Sequence, residues 1–130
     1  MNRYIRFSSL AIAVFILCVP SISFAVEEGA ADARRGEATF KLICSHCHRT
    51  DYDESRVKAP GLRGVLERHD VAWLNQWLKS PAAFAKKDET AKTLIDSHPY
   101  KLVMPTLPEM QDAQNRADVI EYLKTLKDEE

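Results

Sequence analysis

Cys44-Ser45-His46-Cys47-His48 is the stretch of this 130-residue chain whose residue types and spacing could carry chemistry on their own. The pattern Cys-x-x-Cys-His reads as the attachment site of a c-type haem. Residues three and four apart are neighbours on a helix, so positions 44, 47 and 48 are expected to share one face. Two thiols can then form thioethers to the two haem vinyl groups while the His48 imidazole sits beneath the iron. A porphyrin held at two edge points and one axial bond cannot simply dissociate, which suits an open compartment. Other readings of the two thiols need other surroundings. A thioredoxin-like pair expects a βαβ context, and a zinc site needs further Cys or His ligands; the sequence supplies neither. A disulfide, the default for an exported chain with two cysteines, leaves His48 unexplained.

An iron bound this way takes two axial ligands, and His48 is the near one by its place in the motif. The far ligand must come from a segment that crosses to the other haem face. Methionine suits that position, because a soft thioether favours the reduced iron and raises its potential. Beyond the N-terminal segment the chain offers only Met104 and Met110. Met104 stands 60 positions after Cys44, in a loop stiffened by Pro105 and Pro108. It is the favoured ligand. Met110 lies beside the start of the last helix and is expected to pack there; it and His98 remain the alternatives.

The elements that must position these groups can be read in outline. Arg3 and Arg6 precede a 13-residue run, Phe7 to Val19, that is apolar apart from Ser8 and Ser9. Pro20 breaks the run, and Ser23-Phe24-Ala25 offers small residues for cleavage, so residues 1–25 read as a secretory signal peptide. The run is well short of the ~20 residues that span a bilayer, so cleavage rather than a retained anchor is expected, and Cys18 leaves with the signal. The mature domain, residues 26–130, carries 16 basic and 19 acidic side chains, a formal net charge of −3. That charge argues against nucleic-acid binding, which wants a basic footprint.

Within the mature domain, Ala30 to His48 is predicted as a first helix, interrupted by Gly36 at a cost of about 1 kcal/mol. Residues 49–59 read as a polar loop, and Pro60-Gly61 with Gly64 as a turn-rich connection. Asp70 caps a helix through Lys79 whose Trp73, Leu74, Trp77 and Leu78 form one apolar stripe. Thr90 to Ser97 is a short helix, and Asp112 to Lys127 the last, burying Val119, Ile120, Tyr122, Leu123 and Leu126. No strand pattern is present, so the fold class is all-α. Trp73 and Trp77 are read as core aromatics rather than donors to haem propionates. Tyr100 either reaches the Met104 sulfur or simply packs. His46 and His69 are expected at the surface without a role, and Lys86-Lys87 and the tail from Asp128 to Glu130 as solvated charge.

These residues resemble the class I, mitochondrial-type cytochromes c, over essentially the whole mature chain from about Asp32 to Lys127. Gly36 and Phe40 stand eight and four residues before Cys44, where the family has its N-terminal helix glycine and aromatic. Ala59-Pro60-Gly61-Leu62-Arg63-Gly64 is similar to the family's Gly-Pro-x-Leu-x-Gly segment, whose proline carbonyl accepts the Nδ1 hydrogen bond of the haem histidine. The resemblance therefore assigns that role to Pro60. Arg116 to Lys124 is similar to the C-terminal helix, where an apolar residue and a tyrosine cross the N-terminal helix near its glycine. It implies a packing reason for Gly36, the close approach of Val119 and Tyr122. Met104-Pro105 stands where the family places its distal ligand. Pro81 to Leu102 departs from the mitochondrial pattern and the chain is more like bacterial monohaem members. The lysine-rich docking face of the mitochondrial proteins is not evident.

The resemblance implies a cytochrome c-like fold, with crossed terminal helices and short helices and loops wrapped around one covalent haem. It implies one haem c per chain, attached through Cys44 and Cys47, with His48 and Met104 on the iron and Pro60 beside it. The expected function is a periplasmic one-electron carrier between redox partner proteins, not an enzyme; the alternative is a dedicated haem subunit of a larger periplasmic redox complex. Its expected partners are transient redox proteins and the haem c maturation machinery, with no nucleic acid and no stable membrane insertion after signal cleavage.

Overall fold

A computed structural model describes residues 29–127; the signal segment with Cys18 and its cleavage site, and the tail from Asp128, lie outside the described residues. Six helices follow one another: α1 Ala33–Leu42, α2 Val65–Arg68, α3 Val71–Lys79, α4 Pro81–Phe84, α5 Glu89–Ser97 and α6 Ala113–Leu123. Short 3-10 turns lie at Cys44–His46 and Pro108–Gln111, and the described residues contain no strand. The all-α expectation holds.

Aspartates start four of these helices by accepting from first-turn amides that lack an intrahelical partner. Asp32 takes Arg34 N and Arg35 N, Asp70 takes Trp73 N, Asp88 takes Ala91 N and Asp112 takes Asn115 N. The cap at Asp70 and the end at Lys79 agree with the sequence reading. Asp88 moves the start of α5 to Glu89, one residue before the expected Thr90. The last helix begins close to the expected place but ends at Leu123, four residues early. Gly64 N–H bonds the Leu126 carbonyl at 2.6 Å, so the chain after α6 turns toward α2 instead of continuing.

The first helix requires a larger correction. It runs only from Ala33 to Leu42, breaks at Ile43 (φ −122°, ψ −57°), and resumes as the Cys44–His46 turn. Side chains of the motif explain the break. Ser45 Oγ donates to the Lys41 carbonyl at 2.7 Å, and His46 Nδ1 lies 3.1 Å from the Ile43 carbonyl. Such side-chain bonds satisfy carbonyls left open at a helix end and compete with continuing it.

α1 and α6 cross at Gly36. A Cβ there would lie 1.9 Å from the Asp118 carbonyl oxygen and 2.9 Å from Tyr122 Cβ, so only glycine permits the approach. Phe40 and Tyr122 pack with ring centroids 5.3 Å apart. The expected closeness of Tyr122 is therefore seen, but the backbone met is that of Asp118. Asp118 itself is buried: its carboxylate takes Arg35 Nε at 2.7 Å, Asp32 N at 2.8 Å and Gln114 Nε2 at 2.9 Å. Beneath the crossing, Phe40, Cys44, Val65, Leu74, Leu78, Met110, Val119, Ile120 and Leu123 form one buried cluster. Tyr122 and Leu126, expected inside, are half-buried against it.

Candidate haem site

The two cysteines of the motif are not equivalent. Cys44 is buried in the core and Cys47 is exposed, because the break at Ile43 turns the motif inward at its first residue. The turn is held by Cys47 N and His48 N, both donating to the Cys44 carbonyl at 3.1 and 2.9 Å. Burial pushes the Cys44 thiol up to about 11. A redox-active Cys-x-x-Cys pair lowers a thiol toward neutrality, the opposite of what burial does to Cys44.

His48 is half-buried, and its Nδ1 lies 3.0 Å from the Pro60 carbonyl oxygen. Burial lowers its pKa, opposed by that carbonyl, so the ring is held neutral with Nδ1–H as donor. The acceptor is itself positioned by a glycine that the sequence reading took only for a turn. At Gly61 a Cβ would meet the Asp51 carbonyl oxygen at 2.3 Å and Tyr52 C at 2.6 Å. Leu62 N and Arg63 N also bond the Arg49 and Asp51 carbonyls at 3.0 and 3.1 Å, laying 60–64 along the chain just after His48.

Met104 is half-buried and packs against the core from the strap between α5 and α6. The strap's far end is anchored by Met110, which is fully buried, as its expected packing role requires. Arg116 of α6, also buried, donates through Nη1 to the Met110 and Gln111 carbonyls at 2.7 and 3.0 Å and through Nε to Asn75 at 2.7 Å. Met110 is thus committed to the core. His98, the other alternative ligand, engages both ring nitrogens in backbone hydrogen bonds. Met104 remains as the soft donor on this side.

The aromatic expectations were met in part. Trp73 and Trp77 are half-buried and stacked 5.4 Å apart, and Trp73 donates its indole N–H to Asp88 at 3.0 Å. His46 is exposed as expected, but His69 is not; it stacks on Trp73 at 3.9 Å and is half-buried. Tyr100 is 62% exposed, with its ring beside His98 at 5.9 Å.

A large apolar group fits this arrangement. Eight large hydrophobic side chains are exposed among the described residues, and six of them lie on two segments only: Tyr52 and Val57 on the loop after His48, and Leu94, Tyr100, Leu102 and Val103 leading to Met104. Exposed apolar side chains concentrated on few segments mark a candidate binding surface. The two segments adjoin, along the chain, the oriented His48 imidazole and the Met104 thioether, which with the thiols of Cys44 and Cys47 make up the donor set of a covalently held haem.

The family model for cytochrome c matches residues 33–127. This chain belongs to the cytochrome c family. Cytochrome c2 of Rhodopila globiformis is 35% identical over 104 residues, covering 74% of this chain and 94% of that one. Cytochrome c of Guizotia abyssinica is 30% identical over 110 residues, covering 78% and 96%. Among solved structures, cytochrome c from Rhodothermus marinus has the same fold, with a TM-score of 0.63 over 72% of this chain and 75% of that one at 23% identity. The chain is a class I cytochrome c of the bacterial kind, an electron-transport protein. It carries one haem c, bonded covalently through Cys44 and Cys47. Among the described residues no helix is long and apolar enough to cross a membrane.

Proposed function

We propose that this cytochrome c is an exported one-electron carrier whose iron is held by His48 Nε2 on one face and Met104 Sδ on the other. When bound, the haem iron supplies the one-electron couple. The observation that carries the reading is the 3.0 Å approach of His48 Nδ1 to the Pro60 carbonyl. Metal-bound histidines donate their other ring nitrogen to an acceptor that fixes the ring and raises its basicity. Gly61 holds that acceptor close, and Met110 with Arg116 anchors the strap bearing Met104. A positioned donor on each side would keep reorganisation small between the two oxidation states and would leave no place on the metal for a substrate.

Export rests on residues 1–25, proposed as a signal peptide cleaved after Ala25, with residues 26–130 as the mature periplasmic domain. Buried Cys44 supports a maturation step in which thioether bonds form before the core closes, through the haem c maturation machinery. The mature protein would meet its redox partners through a small, transient interface, with no membrane insertion once its signal is cleaved.

The test is Met104→Ala. The haem should stay covalently attached while the sixth position opens to water or added ligand and the reduction potential falls. An unchanged spectrum would show that Met104 is not the ligand. Native purification separates carrier from subunit: a free monomer is expected, whereas stable co-purification with a catalytic chain would assign the protein to a larger complex.

A further inference from the structure

His98 ends α5 and begins the strap that bears Met104, and its ring makes three backbone hydrogen bonds. Nδ1 accepts Tyr100 N–H at 3.1 Å and Leu102 N–H at 3.3 Å. An imidazole whose Nδ1 accepts is neutral and carries its proton on Nε2. That nitrogen lies 3.1 Å from the Val57 carbonyl oxygen, 41 residues back along the chain, and so donates to it. The ring is half-buried.

Each half of this arrangement acts on a different segment. The Nδ1 side stiffens the turn His98–Lys101, which is closed by Lys101 N bonding the His98 carbonyl at 2.9 Å and holds Lys101 at φ 52°. Met104 follows two residues after Leu102, the last amide this nitrogen takes. The Nε2 side grips a tight loop in which Lys58 N bonds the Ser55 carbonyl at 2.9 Å, Ser55 N bonds the Ala59 carbonyl at 3.0 Å, and Lys58 sits at φ 63°. Pro60, the acceptor for His48, follows Ala59 directly. One imidazole therefore joins the strap of the proposed distal ligand to the segment that orients the proximal one.

We infer that His98 is a positioning residue: through its Nε2–H bond to Val57 it holds the Met104 strap closed across the haem. The inference rests on the reading of Met104 as ligand and goes beyond it. With the far end of the strap anchored by Met110 and Arg116, the bond to Val57 is the hold at the near end. Without it, the segment from His98 to Leu107 is tied mainly at one side, and Met104 leaves the iron more often.

Two isosteres separate the functions of the ring. Asn places its amide oxygen near the position of Nδ1 and preserves the turn cap. Gln places its amide nitrogen near the position of Nε2 and preserves the reach to Val57. The assay is displacement of the sixth ligand by imidazole in the ferric holoprotein, which reads how often the strap opens. His98→Asn should bind imidazole about fivefold more tightly than the wild type, the worth of one net intramolecular hydrogen bond. His98→Gln should return to within about twofold of the wild type. In the reduced holoprotein, ring nitrogen NMR should find His98 protonated on Nε2, with slow exchange of that proton. An unchanged imidazole affinity in His98→Asn, equal impairment of the two variants, or a fast-exchanging Nε2 proton would each overturn the inference. If the ferric wild type lacks the weak red-edge absorption of a methionine–iron bond, the ligand reading fails and the inference with it. That result is distinct, because it precedes any substitution at position 98.

Discussion

Gly36→Ala opposes two well-separated effects, and the structure determines which prevails. Gly36 lies inside α1, where alanine favours the helix by about 1 kcal/mol. Helix propensity alone therefore predicts a more stable protein. The crossing predicts the reverse. The added Cβ would lie 1.9 Å from the Asp118 carbonyl oxygen and 2.5 Å from its carbon, where real Cβ atoms keep at least 3.0 Å. The obstacle is backbone, not the end of a flexible side chain, so α1 and α6 must part by roughly 1 Å. A gap of that size forfeits a quarter to a half of each dispersion contact across it. It loosens Phe40, Val119 and Leu123 and lengthens the Arg35–Asp118 pair, now at 2.7 Å. Overpacking of this kind costs about 1–3 kcal/mol or more. Together with the strained ion pair, it outweighs the propensity gain by about 1–3 kcal/mol. For a domain of this size the midpoint should fall by roughly 5–20 °C. Thermal unfolding of the holoprotein, followed by far-ultraviolet circular dichroism, measures it, while the iron spectrum below the transition should stay unchanged. A midpoint equal to or above the wild type would refute the crossing at Gly36.

Further outcomes follow from the same geometry. Asp118 is held down to about 2, first by the Arg35 guanidinium and then by the Asp32 amide and Gln114. Its folded value lies below the unfolded one of about 3.9, so its stabilisation is complete above pH ~4 and is lost as pH falls from there toward 2. Asp118→Asn should cost about 1–2 kcal/mol at neutral pH, discounted for the half-exposed Arg35, and flatten the acid limb of the stability curve. An acid limb identical to the wild type would contradict the assignment. Gly61→Ala should push the 60–64 segment off the Asp51 and Tyr52 backbone, weaken the Pro60 hydrogen bond to His48 and shift the reduction potential with Met104 untouched. Potentiometry checks it, and an unaltered potential would separate Gly61 from the site.

The chemistry of this chain is compact in sequence and its support is not. Cys44, Cys47 and His48 stand out because two thiols and an imidazole fall at set spacing within five residues. Met104 draws notice because Pro105 and Pro108 follow one of very few methionines. Gly36 drew notice as a glycine inside a helix pattern. The break at Ile43 was hidden, since it depends on Ser45 and His46 bonding backwards, and both belonged to an apparently continuous helix. The four-residue helices α2 and α4 are too short for any periodicity. Nothing in the sequence marks Asp118 and Arg116 of α6 as buried; they are so because partners distant in sequence satisfy them, Asp32 and Arg35 for the one and Asn75 for the other. Gly61 acts against backbone eight to ten residues back and His98 on a carbonyl 41 residues back, and only the folded chain brings those groups within reach.

The central claim is a closed site with His48 and Met104 on one redox-active iron. It is tested most directly by a potentiometric titration of the native protein with the absorption spectrum recorded at each step. The account predicts a single one-electron transition, low-spin in both states, with the weak red-edge methionine–iron band present in the ferric form and lost on reduction. A high-spin ferric spectrum without that band would contradict it.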